Sequence, residues 1–340
     1  MQALVSILIP AFNSERWVAQ TIRSAANQTW QRKEIIVVDD GSTDRTFEIA
    51  RRFESRLIKV VSQPNAGASA ARNAALKLCQ GDYVQWLDAD DLLDPEKISL
   101  QMRAVEEMRN DRTLFSCPWA FFRHRHYKAR FVPTTLWCDL SPADWLFRKI
   151  EQNLFMSNAT WLVSRGLTDN AGPWDETLLK DNDGEYFCRV LLGSDSVHFV
   201  PSARAYYRRP EAHSVSYIGR SRQKLESQLR SLRLHIQYLQ SLEESERVRT
   251  ACLQFLQRWL ICFYPGHPDL VQEMQYLATE NGGYLEAPRL PWKYAWLKPI
   301  FGWNFASDVQ LRVQLCKETL LRYWDKAMFH LDSYSLGMER

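Results

Sequence analysis

Four short polar clusters hold most of the reactive side chains of the first hundred residues. They are Pro10-Ala11-Phe12-Asn13, Asp39-Asp40-Gly41-Ser42, Asn65-Ala66-Gly67 with Ala71-Arg72-Asn73, and Asp88-Ala89-Asp90-Asp91. In an extended chain alternate side chains share a face, so Asp88 and Asp90 would converge while Ala89 points away. Two hard oxygen donors placed this way suit Mg²⁺ or Mn²⁺ that keeps positions open for phosphate groups. The same acidic run, leading into Leu92-Leu93-Asp94-Pro95, also reads as a turn with good helix-entry chemistry, in which the carboxylates only cap. Arg72 carries a fixed guanidinium fork that can grip a phosphate or hold a carboxylate. The chain has no G-x-G-x-x-G run and no phosphate-loop lysine motif, which argues against a dinucleotide enzyme and a phosphate-loop ATPase.

Each cluster follows or flanks a run that reads as a regular element. Leu4–Ile9, Glu34–Val38, Leu57–Val61 and Tyr83–Leu87 are short, largely apolar strands. Between them Trp17, Ile22 and Ala25-Ala26, then Asp44–Phe53, then Ala66–Leu78, repeat at helical spacing. Apolar strands alternating with helices predict a parallel sheet covered on both faces, an α/β fold whose ligands bind at the carboxyl ends of the strands. Asp94-Pro95 predicts the N-cap and first position of a helix reaching about Asn110. From Thr113 to Arg209 short strands and aromatics alternate irregularly. After Arg220, Leu225, Leu229, Leu232 and Ile236 form one helical stripe, and Pro265-Gly266-His267-Pro268 interrupts the helices that follow. We therefore expect a catalytic unit over 1–215, with halves 1–110 and 111–215, and a helical, aromatic-rich extension over 216–340.

Bulk properties narrow the class. In 340 residues, 46% hydrophobic and 24% charged is the balance of a globular protein with a sizeable core. Lys+Arg exceeds Asp+Glu by only 43 to 40, too little to call for nucleic acid as a partner. Seven scattered cysteines without a C-x-x-C pair suggest a reducing compartment, and no signal-peptide pattern opens the chain, so a cytoplasmic location is expected. Trp292-Lys293-Tyr294-Ala295-Trp296 and the residues up to Trp303 have the composition of a membrane-interface anchor, which would place the protein at the inner face of the cell membrane. Alternatively these rings pack the tail onto the body, and Pro291 and Pro299 argue against one long amphipathic helix through the segment. His124 and His126 lie in a basic run, Arg123–Arg130, that reads as a solvated face.

Taken together, V-S-I-L-I-P-A-F-N-S-E at 5–15, V-V-D-D-G-S-T-D at 37–44, N-A-G-A-S-A-A-R-N at 65–73 and D-A-D-D at 88–91 resemble the inverting family-2 glycosyltransferases of the GT-A fold. Gly172-Pro173-Trp174-Asp175-Glu176 and Asp181-Asn182-Asp183-Gly184-Glu185 resemble that family's acceptor-side segment, in which the second member of an acidic pair is the catalytic base. Here the first member is Asn182, a departure from the pattern, and Asp183 is left as the base. The resemblance covers residues 4–215 and implies a metal-dependent transfer from a nucleotide sugar, a UDP-sugar, to a glycan, lipid-linked or other hydroxyl acceptor. It implies that Asp40 reads the uracil, that Pro10, Phe12 and Glu15 line the nucleoside pocket, and that Asn65, Gly67, Arg72, Asp88, Ala89 and Asp90 hold the nucleotide sugar. Asp88 and Asp90 would hold Mn²⁺ or Mg²⁺. His213 lies in a segment like the family's diphosphate-closing loop, and reads either as a further metal ligand or as a structural histidine. Trp174, Asn182 and Glu185 would stand on the acceptor side. Two rivals remain: a sugar nucleotidyltransferase, which needs a glycine- and arginine-rich first loop that P-A-F-N-S-E is not, and a non-catalytic sugar-nucleotide-binding relative.

Overall fold

The structure is a computed structural model and describes residues 2–209 and 221–335. The first hundred residues alternate strand and helix: β1 Val5–Ala11, α1 Val18–Ala26, β2 Lys33–Asp39, α2 Thr46–Arg51, β3 Ile58–Ser62, α3 Ala68–Leu78 and β4 Tyr83–Trp86. Next come β5 Leu92–Leu93, α4 Lys97–Met108, β6 Thr113–Ser116, β7 Trp119–Phe122, α5 Pro142–Gln152, β8 Val163–Ser164 and α6 Arg165–Ala171. They are followed by α7 Asn182–Gly193, β9 Ser196–Phe199 and β10 Ala205–Arg208. The C-terminal part is helical, with α8 Arg222–Leu242, α9 Glu246–Trp259, α10 Pro268–Glu280, α11 Trp292–Ala295 and α12 Lys298–Ser335, the last interrupted at Gly302.

The main sheet has the order β3-β2-β1-β4-β8, parallel through its first four strands and antiparallel at β8. Its strands are continuous apolar runs because both faces are covered: Ile7, Leu8, Ile9 and Ile35–Val38 are essentially inaccessible. In parallel register Ala11 lies beside Asp39 and Asp39 beside Ser62, so the strand ends and their polar clusters line up along one edge. A second sheet, β5-β10-β7, is built mainly from residues past 110, and β6 pairs with β9. The expected mixed, mostly parallel α/β architecture is present.

Two local expectations need correction, and a third falls where nothing is described. Helix α4 begins at Lys97, because Asp94 accepts the Glu96 N–H in a tight turn ahead of it instead of capping the helix. The boundary expected at 215/216 lies outside the described residues. The Trp292–Trp303 segment divides: Leu290, Leu297, Trp303 and Ala306 form a small core against Tyr264, whereas Trp292 and Trp296 are exposed. Helix α8 buries its expected stripe, Leu225, Leu229, Leu232, Ile236 and Leu239, against α5, α9 and α10.

Candidate active site at the strand ends

At the end of β2 both carboxylates are buried. Gly41, at φ +68°, turns the chain so tightly that a Cβ there would stand 2.7 Å from the Asn65 nitrogen. That closeness lets Asp40 tie down the loop before α3. Asp40 Oδ1 accepts from the Gln63 side-chain amide (2.7 Å) and the Ala66 N–H (3.0 Å), and Oδ2 accepts from the Gly67 N–H (2.8 Å). Asn65 in turn donates to the Asp40 carbonyl. A carboxylate has about four acceptor positions, so these three donors leave one on Oδ2 unused. Phe12 projects into solvent at the end of β1, and Glu15 accepts from Arg45.

After β4 the chain does not remain extended. Asp91 N–H donates to the Asp88 carbonyl (3.0 Å), closing a turn through Ala89 and Asp90, so the shared-face argument for Asp88 and Asp90 does not hold. Both side chains are nonetheless half-buried at the same edge. Asp88 pairs with Arg72 Nη2 at 2.8 Å and accepts from the Asn158 amide at 3.3 Å. Asp91 is completely buried, and accepts from the Arg208 N–H (2.7 Å). Burial first, then the charges of Asp90 and Asp88, hold its carboxyl well above the ordinary carboxylate range. Arg208 fastens the turn from the other side, donating to the Asp90 carbonyl while its guanidinium lies between Trp17 and Phe122. Among the described residues no three His, Cys, Asp or Glu side chains cluster as a complete ion cage. Two carboxylates fit an ion that takes its remaining ligands from water and substrate phosphates. His213 lies outside the described residues.

The acceptor-side residues are distributed differently from expectation. Trp174 is 1% exposed; it stacks on Tyr186 (4.0 Å, 5°) and meets Trp86 edge-on. It therefore cannot touch an acceptor, and instead supports Arg72, whose guanidinium lies 4.4 Å over its ring. Glu185 is buried too, fully engaged by Arg189 (2.7 and 2.9 Å) and by the Tyr238 hydroxyl (2.8 Å). Asn182 joins α7 to α3, donating to the Ser69 hydroxyl and accepting from Arg72 Nη1 at 3.5 Å. Asp183 is half-buried in the first turn of α7, one residue past Asn182. Burial and the neighbouring Asp181 charge raise its pKa, and Arg72 opposes them. Asp181, not Asp183, occupies the cap position of α7.

Asp181 is held from behind by α8. It accepts from the Ser231 hydroxyl (2.7 Å) and lies 3.8 Å from His235 Nδ1. His235 Nδ1–H donates to the Ser231 carbonyl, and Nε2 accepts from the Lys149 ammonium. Burial first and then Lys149 lower the His235 pKa to about 4, so this imidazole is neutral. Gly184 leaves room for the arrangement: a Cβ there would fall 2.3 Å from Asp181 Oδ1.

Residues 6–166 match the family model described as Glycosyl transferase family 2. This part of the chain is a family-2 glycosyltransferase domain. The chain is also similar to the chondroitin synthase of Escherichia coli, 39% identical over 113 residues, and to the Escherichia coli UDP-Glc:alpha-D-GlcNAc-diphosphoundecaprenol beta-1,3-glucosyltransferase WfaP, 42% identical over 104 residues. The first alignment covers 33% of this chain and 16% of the relative, the second 30% and 41%, so this chain spans less than half the length of either. The crystal structure of Staphylococcus aureus TarS 1-349 in complex with UDP superposes on 76% of this chain and 72% of that one with a TM-score of 0.59 at 22% identity, which establishes the shared GT-A fold.

Beside the acids of the glycosyltransferase domain stands an aromatic group that motif reading passed over. Trp119 and Phe121 share one face of β7, and Tyr207 of β10 lies in register with Phe121. Phe155 completes the group, 5.0 Å from Tyr207 and 5.2 Å from Trp119, and Phe121 and Phe155 are each 40% exposed. Two links bring the group to the acids. Tyr207 precedes Arg208, which bonds Asp91, and Phe155 stands three residues before Asn158, which bonds Asp88. The W-A-F-F alternation was the available signal; the partner ring from Phe155, in an irregular loop, had none.

Proposed function

We propose that this protein transfers a sugar from a nucleotide sugar, a UDP-sugar, to a hydroxyl acceptor by single displacement with inversion. The observation that carries the reading is Arg72, which pairs with Asp88 on the donor side and reaches Asn182, next to Asp183, on the acceptor side. Donor and acceptor groups are thereby fixed to one another, as a direct displacement requires. Asp40 reads the nucleobase N–H through its open acceptor position, with Phe12 and Pro10 beside the ring. Asp88 and Asp90 would hold Mn²⁺ or Mg²⁺, which when bound supplies positive charge to the departing diphosphate. Asp183 takes the proton of the acceptor hydroxyl as that oxygen bonds to the anomeric carbon. The bond from the anomeric carbon to the diphosphate oxygen breaks, and UDP leaves with its electron pair. A carboxylate with a raised pKa is a better base for this step than an ordinary one. Phe121, Phe155 and Tyr207 offer flat apolar faces on which an acceptor sugar can stack.

WfaP carries a UDP-sugar donor and a lipid-diphosphate acceptor in its name, and TarS was crystallised with UDP; both support a UDP-sugar here. Residues 1–215 form the catalytic unit in this reading and 216–340 its helical extension, working in the cytoplasm, where seven free cysteines are at home. Incubation with Mn²⁺ and a panel of nucleotide sugars, following UDP release, tests the proposal. Metal-dependent UDP release with a glycosylated acceptor is expected. Pyrophosphate formation would identify a nucleotidyltransferase, and donor binding without release a non-catalytic relative.

A further inference from the structure

Helix α12 lies against the body through an acidic stripe. Glu318, Asp325 and Asp332 recur every seven residues and so share one face. They meet alternate residues of the basic run: Arg123 pairs with Glu318 (2.5 Å), Arg125 with Asp325 (2.8 Å) and Asp332 (3.5 Å), and the Tyr127 hydroxyl donates to Asp332 (2.7 Å). The Arg123–Arg130 segment is thus not simply a solvated face: Arg125 is largely enclosed by this helix.

The opposite face has the reverse character. Val313, Leu320 and Ala327 repeat at the same interval, displaced from the acids by two residues, or about 200° around the helix. Leu320 is 70% exposed, Tyr323 69% and Leu331 61%, with Val313 also exposed beside them, while Trp324 at the edge of the band lies against the Arg125 guanidinium. Arg312, Lys317 and Lys326 flank this apolar band and are exposed. Between residues 312 and 332 every acidic side chain belongs to the inward stripe.

We propose that this outer face of α12 docks on an anionic lipid surface. An apolar, ring-bearing band flanked by cations matches a bilayer interface with negative headgroups, the rings entering the headgroup region and the basic side chains reaching the phosphates. A second copy of the helix fits poorly, because cations flank the band and would be brought against one another. No described helix is long and apolar enough to cross a membrane, so the contact is an in-plane one. It differs from the anchor read from the sequence, since Trp303 of that segment is buried.

Co-sedimentation of the full chain with vesicles of mixed phosphatidylcholine and phosphatidylglycerol, and with vesicles of phosphatidylcholine alone, tests this. The wild type is expected to sediment with the mixed vesicles and far less with the neutral ones. A Lys317→Glu, Lys326→Glu variant and a Leu320→Ser, Tyr323→Ser variant should each bind the mixed vesicles about tenfold or more weakly. All four positions are exposed, so unchanged circular dichroism and melting temperature are expected to accompany the loss. Wild-type chain that stays in the supernatant, or variants that bind as the wild type does, would overturn the proposal. So would a dimer seen by sedimentation equilibrium that disappears with the Leu320→Ser, Tyr323→Ser pair, since the face would then belong to a second copy.

Discussion

Arg72 stands over the Trp174 ring with one arm on Asp88 and the other toward Asn182, a task that depends on the planar fork of its guanidinium. In Arg72→Lys the charge remains but the ring stack and the second arm are lost. Transfer should fall roughly 10–100-fold, as for losing a charged hydrogen bond, while the melting temperature changes little. Steady-state kinetics with UDP-sugar beside a thermal melt checks this, and wild-type kcat/KM would remove Arg72 from the site. Asp40→Ala is expected to behave differently, because three donors lose their acceptor. Stability should drop by roughly 2–4 kcal/mol in urea titrations together with UDP affinity; full stability with weakened UDP binding would assign Asp40 to the ligand alone. The acidic pairs were legible because carboxylates at strand ends have few uses. Asp40's donors were not, since two of the three are backbone N–H groups, and neither was the burial of Trp174 and Glu185, which side-chain type alone does not reveal.

The elements that hold the candidate base are α7 and α8, and the buried polar group between them should register as a pH-dependent stability. His235 has a folded-state pKa of about 4 against an unfolded value near 6.5. Between those values the unfolded chain binds the extra proton. Stability contributed by the neutral imidazole is therefore complete above about pH 6.5 and is lost as the pH falls toward 4, by about 3 kcal/mol in all. Urea denaturation of the wild type and of His235→Gln across that window tests this. The variant should be weaker at pH 7 and flatter with pH, whereas parallel curves would place the titration elsewhere. The helix stripe of α8 and the four parallel strands follow from periodicity and were legible. Strands β5 and β8 have two residues each, too short for any period, and the β5-β10-β7 sheet unites segments more than a hundred residues apart. Between an extended run and a turn at Asp88–Asp91 the residue types alone do not choose; the hydrogen bond from Asp91 to Asp88 makes it a turn.

At the scale of the whole molecule, α12 returns to the segment after β7 across roughly two hundred residues of sequence, and the seven-residue acidic spacing gains meaning only beside Arg123, Arg125 and Tyr127. Asp325, which accepts from the His124 N–H and from Arg125, carries much of that contact. In Asp325→Ala, amide exchange across residues 318–332 should quicken by about tenfold or more with the core unchanged, as for a charged hydrogen bond lost at a domain edge; unaltered exchange would mean the helix is held by other contacts. The account as a whole rests on Asp183 as the group that takes the acceptor's proton beside a donor held independently at the strand ends. The most direct measurement is transfer rate and UDP-sugar affinity on one folded preparation of Asp183→Asn, a change that keeps size and most hydrogen bonding but removes basicity. Donor affinity is expected to stay within about twofold of wild type while transfer falls by about 10²-fold or more. Near-normal turnover by this variant would contradict the account.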